Sequence, residues 1–155
     1  MLQRTLASSV HVTGVGLHSG ERVILTMHPA DVDTGIRFRR TDLEGEQGEI
    51  IALSPLLIND TRLSSTIVTE TGVRVGTIEH IMSALSAMGI DNVLIELNAP
   101  EIPIMDAQAC RLFICCKTRG LWIRRQKRNS SASKKRLWWK TQTNGWLFCL
   151  TMALK

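Results

Sequence analysis

The chain has 155 residues, of which 44% are hydrophobic, so it is long enough for one globular domain with a single core. Residues 1–106 contain seven Arg, no Lys and fourteen acidic residues, whereas residues 107–155 contain twelve basic residues and no acidic one, so the formal net charge of +5 describes neither part. The longest apolar run of the basic part, residues 146–154, is less than half as long as a membrane-spanning helix, and no membrane span is expected.

The N-terminus lacks the features of a secretory signal peptide. Residues 1–7 mix Gln3, Arg4 and Thr5 with apolar residues, whereas a signal peptide contains a continuous apolar segment. We therefore expect a cytoplasmic protein. All four Cys lie in the basic part, where a cytosolic location and the lack of paired C-x-x-C spacing indicate free thiols.

Short alternating segments predict strands in the first part of the chain. Residues 10–13 form the first predicted strand, and the glycine-rich residues 14–20 form a turn after it. Residues 22–27 and 35–41 alternate polar and apolar side chains, as half-buried strands do. These segments together predict a sheet with one buried face.

A hairpin and a helix are predicted next. Residues 65–69 and 73–75 are rich in β-branched side chains, and the three residues between them are few enough for a tight connection. The apolar positions that follow have the period of an amphipathic helix: Ile78, Ile81, Met82, Leu85 and Met88. Thr77 is the predicted N-cap of this helix, and Gly89 is its predicted C-terminal stop.

The fold class follows from this order of elements. Residues 91–97 alternate as a strand, and Pro100 and Pro103 stiffen an extended segment after it. Residues 1–106 therefore predict an α+β fold in which a sheet and a helix form two layers. Neither period persists in residues 107–155, which we expect to be an irregular tail.

The strongest chemical signal is the adjacent pair Glu79 and His80 at the start of the predicted helix. An imidazole beside a carboxylate supplies both a metal ligand and a proton acceptor. By itself the pair is more typical of a solvated helix surface. It is also not the H-E-x-x-H zinc motif, because Ala84 stands four residues after His80.

Three longer segments resemble one enzyme family, in order and at similar spacing. They are TGVGLHSGERV at residues 13–23, FRRTDL at residues 38–43 and GTIEHIMSALSAMGIDNVLIELNAPEIPIMD at residues 76–106. These segments resemble the zinc-dependent UDP-3-O-acyl-N-acetylglucosamine deacetylases of lipid A and lipopolysaccharide biosynthesis. The resemblance implies that residues 1–106 are part of the first of two similar α+β domains. It also implies hydrolysis of the substrate's N-acetyl group with release of acetate, by a monomeric enzyme.

The resemblance also implies roles for individual residues. His80 matches a zinc ligand, and Glu79 matches the general base that removes a proton from the zinc-bound water, whose pKa the metal lowers to about 7. His18, Leu63 and Ser64 match residues near the substrate. A loop histidine in water and a polar strand-edge serine are the alternative interpretations of His18 and Ser64. No role is implied for the two other histidines.

The chain departs from the family pattern after Asp106. An Asp at the end of an extended segment is typically a turn or cap residue. Relatives continue with a Gly-Ser pair, whereas Ala107 and Gln108 follow here, and no histidine occurs after His80. The family's remaining zinc ligands, a further catalytic histidine and its acyl-chain passage lie beyond residue 155. We therefore expect weak zinc binding, no activity and exposed apolar surface in this chain. The simultaneous change in charge and composition motivates the hypothesis of a frameshift near codon 106.

Two other interpretations use different features of the sequence. The basic residues and interspersed Trp of residues 107–155 could form a nucleic-acid-binding arm, although nucleic acid is the less favoured partner. Residues 1–106 could alternatively be a non-catalytic module. Salt-dependent RNA binding would favour the first interpretation, and zinc-dependent activity would exclude the second.

Overall fold

The structure is a computed structural model that describes residues 2–60, 64–104 and 121–127. The described residues contain one α-helix, α1 (Glu79–Met88), and two short 3-10 helices at Gly45–Gly48 and Pro55–Leu57. The strands are β1 (Leu2–Leu6), β2 (Val10–Gly16), β3 (Arg22–Pro29), β4 (Ile36–Arg40), β5 (Ile51–Ala52), β6 (Ile58–Asp60), β7 (Thr66–Val68), β8 (Arg74–Val75), β9 (Val93–Leu97), β10 (Pro103–Ile104) and β11 (Leu121–Lys127).

The largest sheet of the described residues is mixed and has six strands. Its strand order is β10-β2-β3-β9-β4-β5, in which β4 and β9 run parallel and every other pair is antiparallel. A separate three-stranded antiparallel sheet has the order β6-β7-β8. One helix with a mixed sheet and smaller antiparallel sheets is an α+β arrangement, as the sequence predicted.

The core lies between the six-stranded sheet and α1. Along β3, the buried side chains of Val23, Leu25 and Met27 alternate with exposed or half-buried ones. They belong to the same buried cluster as Ile81 and Leu85 of α1. The period of two in the strand and the period near four in the helix thus turn both apolar faces towards each other.

Strand β2 is longer than the sequence predicted, because it runs to Gly16 and the turn begins only at residue 17. At Gly14 a Cβ atom would lie 2.9 Å from the backbone oxygen of Ile104 and 2.9 Å from the Cβ of Pro103. Glycine at this position therefore lets β10 pair closely with β2. Of the glycines that suggested a turn, Gly14 and Gly16 therefore lie in β2, and Gly14 lies against β10.

The helix ends as predicted but begins differently. Gly89 adopts the left-handed conformation, with φ of 65°, and closes the C-terminus of α1. The prediction of Thr77 as N-cap is wrong: the N-cap is Ile78, which makes no side-chain capping bond. Thr77 has a φ of 58°, and its hydroxyl donates to Glu101 instead of capping the helix.

Two of the strands that were not predicted from the sequence, β1 and β11, pair with each other. Strand β1 pairs antiparallel with β11, and its residues Thr5 and Leu6 are fully buried. The expectation of an irregular tail is therefore wrong for Leu121–Lys127, since the open backbone edge of β1 can pair with a segment that has no regular apolar pattern. The rest of the predicted tail, residues 107–120 and 128–155, lies outside the described residues.

Candidate functional site

Glu79 and His80 occupy the first two positions of α1. Glu79 is half-buried, and its Oε2 accepts a hydrogen bond of 3.0 Å from the backbone N–H of Ser65. His80 is exposed. The start of a helix presents unpaired N–H groups, which favour acidic side chains at these positions.

The segment before β7 lies against this first turn of α1. The backbone N–H of Ile78 donates to the carbonyl oxygen of Ser65 over 3.2 Å, in addition to the bond from Ser65 to Glu79. Ser64 is half-buried, and its Oγ lies 3.4 Å from the Oγ1 of Thr66. The structure thus places Ser65, the residue after Ser64, in contact with Glu79, whereas Leu63 lies outside the described residues.

His18 lies in the turn between β2 and β3, and Glu101 holds it there. Its Nδ1 is 2.8 Å from Oε1 of Glu101, and its backbone N–H also donates to that carboxylate. The backbone N–H of Ser19 donates to Oε2 of Glu101 over 3.0 Å. The His18 side chain remains 42% exposed, so part of the ring faces solvent.

Glu101 was not singled out from the sequence, yet its carboxylate accepts hydrogen bonds from three residues, His18, Ser19 and Thr77. It is 6% exposed, and burial by itself raises the pKa of a carboxyl group. Hydrogen bonds from His18, Ser19 and Thr77 outweigh that effect and lower the pKa of Glu101 to about 2. Its position between apolar residues and two prolines was the available signal, because a buried carboxylate must find partners.

Backbone hydrogen bonds join the Glu101 segment to the residues before α1. The N–H of Gly76 donates to the carbonyl of Pro100 over 2.8 Å, and the N–H of Ile102 donates to the carbonyl of Gly76 over 3.0 Å. Thr77, the next residue, donates its hydroxyl to Glu101 over 2.9 Å. The turn that carries His18 and the start of α1 are therefore attached to the same short segment.

The described residues do not complete a metal site by themselves. No three His, Cys, Asp or Glu side chains of this part of the chain are grouped as a metal ion would require. A catalytic zinc needs three protein ligands and one open position, and His80 offers one imidazole. In the same residues, no helix is long and apolar enough to cross a membrane.

The two histidines to which no role was given lie on the sheet. His28 contacts Ser9 through Nδ1 at 2.9 Å and Glu96 through Nε2 at 3.1 Å, so both ring nitrogens have partners. His11 contacts the hydroxyl of Thr26 at 3.0 Å and is exposed. The contacts of His28 with Glu96 and of His11 with Thr26 join neighbouring strands of the sheet.

The FRRTDL segment has a structural role in the described residues. Arg40 is 6% exposed and donates through Nε to Oδ1 of Asp42 over 2.7 Å and through Nη1 to the carbonyl of Arg74 over 2.9 Å. The hydrogen bond from Arg40 lowers the pKa of Asp42. The guanidinium thus joins β4 to β8 and is already neutralised by its own neighbour.

Comparison with known proteins identifies the family. The profile described as LpxC, UDP-3-O-acyl N-acetylglycosamine deacetylase, matches residues 3–152. The chain belongs to this family. The resemblance carried by the GTIEH and IPIMD segments is thereby confirmed.

Individual relatives match a shorter stretch. UDP-3-O-acyl-N-acetylglucosamine deacetylase of Neisseria meningitidis serogroup B is 79% identical over 109 residues, which are 70% of this chain and 36% of the relative. The enzyme of the same name from Neisseria gonorrhoeae is 78% identical over 109 residues, again 70% of this chain and 36% of the relative. That of Chromobacterium violaceum is 58% identical over 121 residues, 78% of this chain and 39% of the relative. The chain thus spans little more than a third of the length of these relatives.

Proposed function

We propose that the complete protein to which this sequence corresponds is a zinc-dependent deacetylase of lipid A biosynthesis. It would hydrolyse the N-acetyl group of UDP-3-O-acyl-N-acetylglucosamine and release acetate. The observation that carries this proposal is the adjacent pair of half-buried Glu79 and exposed His80 at the start of α1, in a chain that belongs to the deacetylase family. We further propose that the complete protein is a cytoplasmic monomer and that it has no nucleic-acid partner.

Glu79 is the proposed general base and His80 one proposed zinc ligand. The bond from the backbone N–H of Ser65 leaves Oε1 of Glu79 without a partner among the described contacts, which suits a proton acceptor. His80 is exposed, so its ring can reach a metal that other residues help to bind. Zinc supplies a polarised water in such enzymes.

His18, Leu63 and Ser64 are proposed to lie near the substrate. The support for Ser64 is the contact between the next residue and Glu79. The support for His18 is its attachment, through Glu101, to Thr77 at the start of α1. Leu63 is proposed from the family resemblance alone.

For this chain as it stands, we propose weak zinc binding and no deacetylase activity. His80 is one ligand, and the described residues contain no group of three candidate ligands. The missing ligands would come from the second of two similar α+β domains, in the two-thirds of the relatives' length that this chain does not span. After dialysis, the purified chain should retain far less than one equivalent of zinc, and His80→Ala should not change that amount.

Residues 107–155 are proposed to be a non-homologous basic tail produced by a frameshift near codon 106. The support is compositional: every Lys, Cys and Trp of the chain lies in these residues, and no Asp or Glu does. The family match reaches residue 152, so it does not mark a boundary at residue 106. Resequencing the gene across codon 106 tests the proposal, and an unshifted frame with no family-like continuation in the other frames would sink it.

A hybrid enzyme tests the proposed function directly. Residues 1–106 of this chain would replace the matching N-terminal part of the Neisseria meningitidis relative, and acetate release from UDP-3-O-acyl-N-acetylglucosamine would be measured. We expect an active hybrid. Glu79→Gln should lower kcat by about 10²–10⁴-fold, the usual contribution of a general base, and His80→Ala should abolish zinc-dependent activity.

Matched controls separate these roles from general damage. Glu70→Gln changes an exposed glutamate in the hairpin turn, and His11→Ala changes an exposed histidine on the sheet. Both variants should retain the activity of the hybrid. Full activity of the Glu79→Gln and His80→Ala variants would refute the proposed roles of these residues.

A further inference from the structure

We propose that Glu101 is a positioning residue that fixes His18 as its Nδ1–H tautomer and holds Thr77 in the left-handed conformation just before α1. The inference rests on the proposed function, because it explains how two segments of that site are held in place. Glu101 itself is buried and is not proposed to touch substrate or metal. It acts through the residues that it binds.

The tautomer of His18 follows from the chemistry of its partner. An ionised carboxylate has no hydrogen to donate, so the Nδ1 of His18 must carry the hydrogen in its 2.8 Å contact with Glu101. In a neutral ring this leaves Nε2 as an unprotonated acceptor. His18 could then accept a proton or a hydrogen bond from a bound substrate at Nε2.

The conformation of Thr77 points to the same carboxylate. A β-branched residue with a φ of 58° is strained, and such strain persists only where neighbouring contacts impose it. Thr77 is 2% exposed, and its Oγ1 donates to Oε1 of Glu101 over 2.9 Å. This bond lies two residues before Glu79, so it constrains the direction in which α1 begins.

Other contacts show that the surroundings of Glu101 are built around its carboxylate. A Cβ atom at Gly16 would overlap Oγ of Ser19 and lie 2.6 Å from Oε2 of Glu101, so a larger residue at position 16 would displace these side chains. The backbone N–H groups of His18 and Ser19 both donate to it. Among the described residues, no Lys or Arg forms an ion pair with Glu101, so hydrogen bonds stabilise the buried charge.

The tautomer can be measured in the full chain without zinc or substrate. Two-bond ¹H–¹⁵N correlation spectra at about pH 9, where imidazoles are neutral, distinguish the two tautomers of each histidine. We expect His18 to be in the Nδ1–H form. His11 is the internal reference, because the Thr26 hydroxyl at its Nδ1 can donate or accept. A His18 spectrum of the Nε2–H form would overturn the proposal, whichever tautomer His11 adopts.

Three variants test the link to Thr77 and α1. In Glu101→Gln one oxygen must serve several donors, so we expect the Nε2–H tautomer of His18 to become dominant and amide exchange at His18 and Ser19 to rise by about tenfold or more. Thr77→Val keeps the shape but removes the hydroxyl, and amide exchange at residues 77–79 should rise. Thr77→Ser keeps the hydroxyl and should match the wild-type chain.

The proposal remains testable even if the Glu101→Gln variant does not fold. The wild-type tautomer and the comparison of Thr77→Val with Thr77→Ser do not need that variant. Equal amide exchange in the Val and Ser variants would overturn the role of Glu101 at α1. Because none of these measurements depends on activity, a failure here leaves the proposed deacetylase function standing, and a failed hybrid assay leaves the positioning role standing.

Discussion

At the residue scale, Glu101 shows how a buried charge is stabilised without a permanent cation. Its carboxylate accepts hydrogen bonds from His18, Ser19 and Thr77, and these lower its pKa from 4.5 to about 2 despite burial. A group with a depressed pKa stabilises the fold above its unfolded pKa. That stabilisation is lost as the pH falls towards the folded pKa.

We therefore predict that Glu101 makes the chain sensitive to acid. Its contribution should be complete above about pH 5 and should decline between about pH 5 and pH 2. Urea unfolding across this range should show a loss of unfolding free energy in the wild-type chain that is smaller in Glu101→Gln. Asp42→Asn is the matched control, since it removes another carboxyl with a lowered pKa and should retain the Glu101 contribution. Parallel pH profiles for the wild type and Glu101→Gln would contradict this prediction.

At the element scale, two glycines of one segment serve different purposes. Gly14 lies within β2, where a Cβ would press on the backbone of β10. Gly20 lies in the following turn with a φ of 67° and has no atom within 4 Å of a Cβ position. Steric contact therefore restricts the first position, and backbone conformation restricts the second.

Replacing these glycines should give separable effects. Gly14→Ala should lower the free energy of unfolding by about 1–3 kcal/mol, because the added methyl group overpacks the β2–β10 contact. Gly20→Ala should cost about 1–2 kcal/mol through the left-handed conformation alone. Gly14→Val should be worse than Gly14→Ala, whereas Gly20→Asn should recover stability because asparagine tolerates this conformation. Urea denaturation measures all four, and equal stability of Gly14→Val and wild type would contradict the contact.

At the scale of the whole molecule, one buried cluster joins α1 to the six-stranded sheet. Leu85 of α1 and Ile95 of β9 are fully buried members of this cluster. The described residues should therefore unfold as one cooperative unit around the helix, despite the small number of helical residues. Strand β1 adds to this unit, since Leu6 belongs to the same cluster.

Two leucines allow a matched test of this core. Leu85 is fully buried, whereas Leu56 is 87% exposed. Leu85→Ala should lower the free energy of unfolding by about 2–5 kcal/mol, because it leaves a cavity between helix and sheet. Leu56→Ala should change it by less than about 0.5 kcal/mol. Similar effects of the two substitutions, measured by urea or thermal unfolding, would argue against the packing of α1 on the sheet.

The sequence by itself determined the family, the α+β class, the apolar face of α1 and its end at Gly89, and the strands with clear alternation. These features depend on periods and turn residues within one short segment, where burial leaves a regular pattern. The start of α1 was predicted wrongly because the Thr77 hydroxyl, a good local cap, donates instead to Glu101, 24 residues away. The capping preference of a threonine is overridden where a buried carboxylate requires its hydroxyl as a hydrogen-bond donor.

Only the tertiary structure decided which side chains meet at the candidate site. Glu79 and His80 were found from adjacent letters, but the partnership of His18 and Glu101 joins residues 83 positions apart. The sequences of β1 and β11 contain no pattern that predicts their pairing. The pairing depends instead on the backbone edge that β1 presents. Hydrogen-bond partners that are distant in sequence depend on the path of the chain through the sheet. The periodic burial of a strand or helix depends only on the residues of that segment.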